Sequence, residues 1–435
     1  MSVQAATVVD SAAPARRLEL TGTWLLSAAM AAAGVLAYAF HILSARTLTT
    51  SEYGHIAALW AALFIAVVVL FRPLEQTTSR TVAHRLVRGQ EARTVLRSVA
   101  SIYCSLLAVV GIGAALAWGT MTQRLFDGNG FLTAMLVTGI AGYGIQYVAR
   151  GVLGGIRQFR GLSLIHVSDG AVRFLVAVPL LAIASEDVAA AALAAAGLGG
   201  ALLPLWRCRA QIAATREGSA GEQFDRTAAL RFAAPASVIA GSDQLLVNGA
   251  PLLVIAAGGH DAAKVAAVVF AATMLVRVPV FLFSGVAGSI LPNLARLNAA
   301  DEHHRFIHTV TRVCLVFAGA TIAIVAGAAA FGPAALRLLY GPAYTAPASD
   351  LALLGLGAGC YLASATMSQA LLAEARATTG AVVWALSAGL FVCVETFASG
   401  DELHRVSLGI AAGMSASTVM LALVFARRAR HKAAW

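Results

Sequence analysis

Between Lys264 and Arg296 the chain runs through some thirty residues, VAAVVFAATMLVRVPVFLFSGVAGSILPNLA, with a single charge among them. A run this long and apolar spans a bilayer with some tilt. Arg277 then falls near the midplane, and the positions one helical turn away hold Thr273, Met274, Val280 and Phe281, none of them acidic. A cation there costs roughly 2.5–3.5 kcal/mol on insertion scales. Its partner is therefore expected from another helix, from cavity water or from a ligand. Pro279 has no N–H for the carbonyl of Leu275, so the same place is expected to be kinked as well as charged.

The rest of the chain repeats the apolar theme. Of 435 residues 59% are apolar and 12% charged, against about 25% charged in ordinary soluble proteins. The fold class expected is an all-α polytopic membrane protein. Apolar segments lie at about 20–45, 54–72, 97–118, 131–150, 165–184 and 187–206, then at about 232–257, 264–291, 307–331, 350–372, 377–398 and 404–426. That is twelve spans in two sets of six. The expected organisation is a cytoplasmic leader at 1–19, an N-terminal six-helix lobe at 20–206, a cytoplasmic linker at 207–231, a C-terminal six-helix lobe at 232–426 and a basic tail at 427–435. The first apolar segment is too long for a signal-peptide core and is read as span one.

Charge placement sets the orientation. With both termini inside, 24 of the 31 basic residues fall in inner segments, while the outer loops hold Arg46, Arg124, Lys264, Arg337 and Arg405. The surplus of ten positive charges is thus a topology signal, with anionic inner-leaflet lipid as its natural neighbour rather than nucleic acid. The expected location is the plasma (inner) membrane. Five scattered cysteines without CxxC spacing point away from a disulfide frame or zinc site. No Walker sequence is present, so neither an ATPase nor a cofactor is expected.

The halves echo each other. HIAALWAA (55–62) is similar to VAAVVFAA (265–272), and RLFDG (124–128) to RLLYG (337–341), at offsets of 210 and 213. Two six-span units that both begin inside form a parallel repeat, with a central cavity between the lobes.

Three stretches carry a family resemblance: ARTLTTSEYGHIAALWAALF after span one, LVRVPVFLFSGVAGSILPNLARL in span eight, and LLYGPAYTAPASDLALLGLG at the start of span ten. In order and layout they resemble the MATE-like MOP superfamily, and within it the Wzx-type polysaccharide flippases. The resemblance implies alternating access and carriage of a lipid-linked oligosaccharide from the inner to the outer leaflet. It also implies an isoprenoid-phosphate-linked glycan as substrate and glycan polymerases or transferases as partners. In related lipid II flippases cavity arginines handle the pyrophosphate, and Arg277 lies on a comparable helix. The alternative within the same fold is a cation-coupled small-molecule antiporter. A membrane glycosyltransferase would need an acidic outer loop, and Ala45–Tyr53 has only Glu52.

The candidate cavity residues are Arg277 with Asp243, Gln244 and Asn248 of span seven. The competing reading makes Asp243 a structural partner of Arg277. Pro251 is expected to free the carbonyl of Val247. Asp169 and Arg173, spaced i, i+4, read as a self-neutralising structural pair; Tyr143 and Gln146 of span four reach a sugar or merely pack. Arg72 and Arg80, with Glu75 and Arg85, continue span two past Pro73 and suit a headgroup access path, although topology alone also places arginines there. His304 and His308 are spaced for a metal, but a solvated helix is the simpler reading, and no metal site is expected. His41, Glu374 and Glu395 read as interfacial or solvated.

Overall fold

The computed structural model describes residues 12–215, 219, 226–259, 261–278, 303–373 and 376–433. Among these the chain is almost wholly helical. The N-terminal lobe comprises α1 (Ala12–Thr47), α2 (Thr50–Val87), α3 (Arg93–Phe126), α4 (Gly130–Gly155), α5 (Phe159–Ala177) and α6 (Glu186–Arg207). A short α7 (Arg209–Ala214) leads to the second lobe: α8 (Arg226–Asn248), α9 (Ala250–Ala257), α10 (Ala262–Val276), α11 (His303–Tyr340), α12 (Ala348–Ala373), α13 (Ala377–Phe397) and α14 (Glu402–Ala433). Ten helices are long and apolar enough to cross a membrane, and α8 with α9 makes one more span if the bent pair is counted as one. With α10, these occupy the places of the twelve expected segments in two lobes. The remainder of the eighth segment, including Pro279, lies outside the described residues.

Local sequence explains the helix ends. Thr49 and Glu52 form a capping box at the start of α2, the Thr49 N–H donating to the Glu52 carboxylate at 2.8 Å. Asn129 caps α4 by accepting from the N–H groups of Phe131 and Leu132. The seventh segment, expected as a single span, is broken. α8 and α9 meet at Gly249 with a bend of 70°, because Pro251 cannot supply the N–H that would continue α8 past Val247. α1 starts at Ala12, ahead of the first apolar segment. In the inter-lobe linker, Ser219 pairs with the α2–α3 turn: the N–H of Glu91 donates to its carbonyl at 2.9 Å.

Within the first lobe α2 packs on α4, α4 on α6, α5 on α6 and α1 on α5; in the second, α12 packs on α11 and α14, and α13 on α8 and α14. Gly151 and Gly155 are the notches of the α4–α2 contact, where an added Cβ would come within 2.9 Å of the Glu75 carbonyl and 2.7 Å of Val82. The two lobes repeat one polar device. Asn129 before α4 donates to Glu186 at 2.7 Å and Asp187 at 2.9 Å in the first turn of α6. Asp350 in the first turn of α12 meets His404 in the first turn of α14 at 2.8 Å. These are the fourth and sixth spans of each unit, as a parallel repeat requires. α2 joins the two lobes: it packs on α8 and α10 as well as on its own lobe. At 38 residues it is ~57 Å long at 1.5 Å per residue, well beyond a bilayer core.

Candidate functional site

Two chambers lie along the seam between the lobes, and both border α8; their walls are mainly apolar, with a few polar and charged side chains set into them. The first, about 300 Å³, is bounded by Trp60 and Phe64 of α2, Gln244 and Asn248 of α8, Arg277 after α10, and Tyr361 of α12. The second, about 400 Å³, lies nearer the α2–α3 end and is bounded by Arg72, Gln76 and Arg80 of α2, Asp243 of α8, and Tyr361 and Gln369 of α12. Tyr361 forms part of both walls.

The first chamber is where two helices stop. α8 ends at Asn248, and Val247, whose carbonyl gets no helical donor from Pro251, borders the chamber. α10 ends at Val276, with Arg277 as its C-cap residue. Near its end the Met274 carbonyl accepts from the Tyr38 hydroxyl of α1 at 2.8 Å. Helix C-termini carry partial negative charge, each worth about 0.3–1 kcal/mol to a nearby cation. They offset part, not all, of the cost of a guanidinium at this depth.

Arg277 is half-buried and donates to Asn248 Oδ1 at 3.4 Å, a long contact. Asn248 donates in turn to Gln244 at 2.8 Å, and Gln244 to Asp243 at 3.1 Å. All four candidate cavity residues therefore belong to one hydrogen-bonded thread. The thread runs from the arginine in one chamber to the acid in the other. Among the described residues no ion pair joins Asp243 to Arg277. Asp243 thus acts on Arg277 through charge without touching it, and it also borders the chamber of Arg72 and Arg80.

The second intramembrane arginine is treated differently. Arg173 is only 2% exposed. It meets Asp169 at 2.5 Å, donates to the Tyr143 hydroxyl at 2.7 Å and lies 5.2 Å from the Trp60 ring. Gln146 donates to the other oxygen of Asp169 at 3.3 Å. Asp169 and Arg173 are thus an ion pair inside the first lobe, with Tyr143 and Gln146 as its hydrogen-bond partners.

Arg72 and Arg80 line the second chamber. Arg85 does not: it is buried and bonds the Glu91 carbonyl at 3.2 Å and the Thr94 hydroxyl, holding the α2–α3 turn. Glu75 is spent on Arg150 of α4 at 3.2 Å. Glu395, read as solvated, is buried at 3% exposure. His41, read as interfacial, is fully buried, 4.5 Å from the Trp60 ring and 4.9 Å from Phe270. Glu374 and the side chains of His303 and His304 lie outside the described residues. Among the described residues no group of three or more His, Cys, Asp or Glu stands close enough to hold a metal. Sequence reasoning missed Trp60, Tyr361 and Tyr38. Trp60 touches the Arg173 cluster and the first chamber at once, and was visible only as an aromatic inside the repeated HIAALWAA stretch.

Behind α10 lies an apolar recess of about 650 Å³, bounded by Leu275, Val276 and Val278 on one side and by Ala320, Gly327 and Phe331 of α11 on the other. Val276 borders both this recess and the first chamber.

No protein-family model matches the chain. Its curated relatives include uncharacterized protein Rv1510 of Mycobacterium tuberculosis, 26% identical over 408 residues that cover 88% of this chain and 89% of the relative. Another is uncharacterized protein Rv3630 of the same organism, 25% identical over 366 residues covering 81% and 82%. Among solved structures, the inward-facing conformation of a multidrug resistance MATE family transporter of the MOP superfamily superposes with a TM-score of 0.68 at 15% identity, over 92% of this chain and 95% of that one. The outward-facing conformation gives 0.69 over 94% and 95%, and the eukaryotic MATE transporter AtDTX14 gives 0.67 at 14% identity over 95% and 98%. The chain is a multi-pass membrane protein with the two-lobed fold of the MATE transporters.

Proposed function

We propose that this protein is a flippase that carries an isoprenoid-phosphate-linked oligosaccharide from the inner to the outer leaflet by alternating access of its two lobes. The observation that carries the reading is Arg277: a cation on a mainly apolar chamber between the lobes, with one long hydrogen bond and, among the described residues, no acid in direct ion pair with it. A phosphate is the ligand chemistry that offsets such a charge, and arginine's fork suits it bidentately. Sugar hydroxyls would meet Gln244, Asn248 and Tyr361. The apolar recess behind α10 supports an amphiphile rather than a wholly soluble cargo, since a head beside Arg277 leaves its tail on the far side of Val276. Arg72 and Arg80 would receive the phosphate from the inner side; the arginine bias supports an inner position for the α2–α3 end, beside anionic lipid and both termini.

The test is depletion of the protein in its host membrane. Build-up of a lipid-linked glycan on the inner leaflet, restored by the wild-type chain and not by Arg277→Ala at equal abundance, is the expected result. A normal glycan profile on depletion, or full rescue by Arg277→Ala, overturns the reading. The second reading is a cation-coupled small-molecule antiporter, favoured by the multidrug resistance MATE transporters that share the fold. It predicts sensitivity to toxic cations on depletion and no change in lipid-linked glycan.

A further inference from the structure

Two of the three stretches that carry the sequence resemblance meet each other in space. ARTLTTSEYG ends α1 and opens α2; RLLYGPAY ends α11 and turns toward α12. They lie on different lobes. Arg46, in the last turn of α1, donates through Nε to the Leu339 carbonyl at 2.9 Å and through a terminal nitrogen to the Leu338 carbonyl. These are last-turn carbonyls of α11, lacking donors within their own helix and carrying the negative end of its dipole. Beside them Tyr53 of α2 is fully buried against Tyr340 and Tyr344, with ring centroids 6.5 and 5.9 Å away. Gly341, at φ 119°, makes the turn that brings Tyr344 back onto Tyr340.

Two features mark this seam as one that parts. The hydroxyls of Tyr340 and Tyr344 are buried without a hydrogen-bond partner, a cost that water would remove on opening. And Gly54 is a point of very close approach between the lobes: a Cβ there would lie 1.9 Å from the backbone carbonyl of Ala263 in α10. Two helix backbones in such contact close only because one residue has no side chain. A permanent interface would gain from pairing those hydroxyls, and the glycine contact sets how tightly the seam shuts.

We propose that Arg46, Tyr53 and Gly54 form a releasable gate against Ala263 and the Tyr340–Tyr344 turn, shut in this structure, and that the other transport state is reached by parting it. The proposal rests on the transporter reading but not on the cargo. A membrane-impermeant thiol reagent reads it without substrate, on Tyr344→Cys in a background with the five native cysteines replaced, in sealed cells or right-side-out vesicles. A gate labels slowly in the otherwise unaltered protein. Arg46→Ala is expected to speed labelling several-fold, and Gly54→Val, which wedges the seam, at least tenfold, with transport lost at normal abundance. Labelling at one unchanged rate in all three overturns the proposal. So does complete protection of the introduced thiol in the Arg46→Ala chain, which remains decisive if Gly54→Val does not accumulate. Unaltered glycan export with an intact labelling response would leave the gate standing and count against the cargo alone.

Discussion

Arg173 and Arg277 are the same side chain in apolar segments of the two lobes, and the protein treats them oppositely. Arg173 has its acid one turn away on its own helix, a tyrosine hydroxyl and an indole face. Its charge is settled when the first lobe folds. Arg277 has, among the described residues, a long contact to one amide, two helix C-termini, a chamber, and Tyr38, Tyr361 and Asp243 acting on its charge without an ion pair. The acid, Asp243, is on the same polar thread and also borders the other chamber. One arginine is part of the architecture; the other is left for something that comes and goes.

Substitutions that break this contrast fall in a clear order. The largest effect on the folded state is expected from Asp169→Ala, which strands Arg173 as an uncompensated buried charge and costs about 3–5 kcal/mol. Thermal unfolding in detergent would show it as a large drop in Tm. Asp169→Leu with Arg173→Met should recover most of that loss, because a pair replaced together leaves no orphan. Arg277→Leu should do the reverse. Transport is lost, while stability is unchanged or gains up to about 3 kcal/mol, the insertion cost of the charge; an Arg277→Leu chain that unfolds like Asp169→Ala would make the two arginines equivalent.

A finer test converts one kind of arginine into the other. Asn248→Asp places an acid on the residue that Arg277 already contacts, and should raise Tm while lowering transport roughly tenfold, an effect of about 1.4 kcal/mol at the ligand step. Smallest are the residues of the second chamber. Arg72→Ala and Arg80→Ala should each slow transport a few-fold with unaltered Tm, and Arg85→Ala should instead lower Tm, because its guanidinium holds the α2–α3 turn rather than facing the chamber.

The helix period carries that last difference, although residue type alone groups Arg85 with Arg72 and Arg80. Arg72, Gln76 and Arg80 step four residues at a time along one face of α2, whereas Arg85, five beyond Arg80, is turned about 140° from it at 100° per residue. The spans were legible, since the apolar runs and the arginine bias are set by the bilayer itself. Pro251 marked a freed Val247 carbonyl, but not that the seventh segment, expected as one span, would bend by 70°. The direction of Asp243 was not legible: its place on α8 says nothing about which of two chambers it faces once the helix is packed. Trp60 and Tyr361 were lost for another reason. An aromatic inside an apolar helix reads as packing, and only the assembled lobes show that these two form walls. The Arg46–Leu339 contact joins residues 293 positions apart, far beyond any local pattern.

The central claim is that Arg277, unlike Arg173, is free to take an anionic head. The direct measurement is thermal stabilisation of the purified protein by a short-chain isoprenyl diphosphate, wild type against Arg277→Leu. At a ligand concentration about one hundred times Kd, binding adds about 2.7 kcal/mol to the folded state. The expected result is a rise in Tm of the wild-type chain that Arg277→Leu does not show. Equal stabilisation of both chains, or none in the wild type, would contradict it.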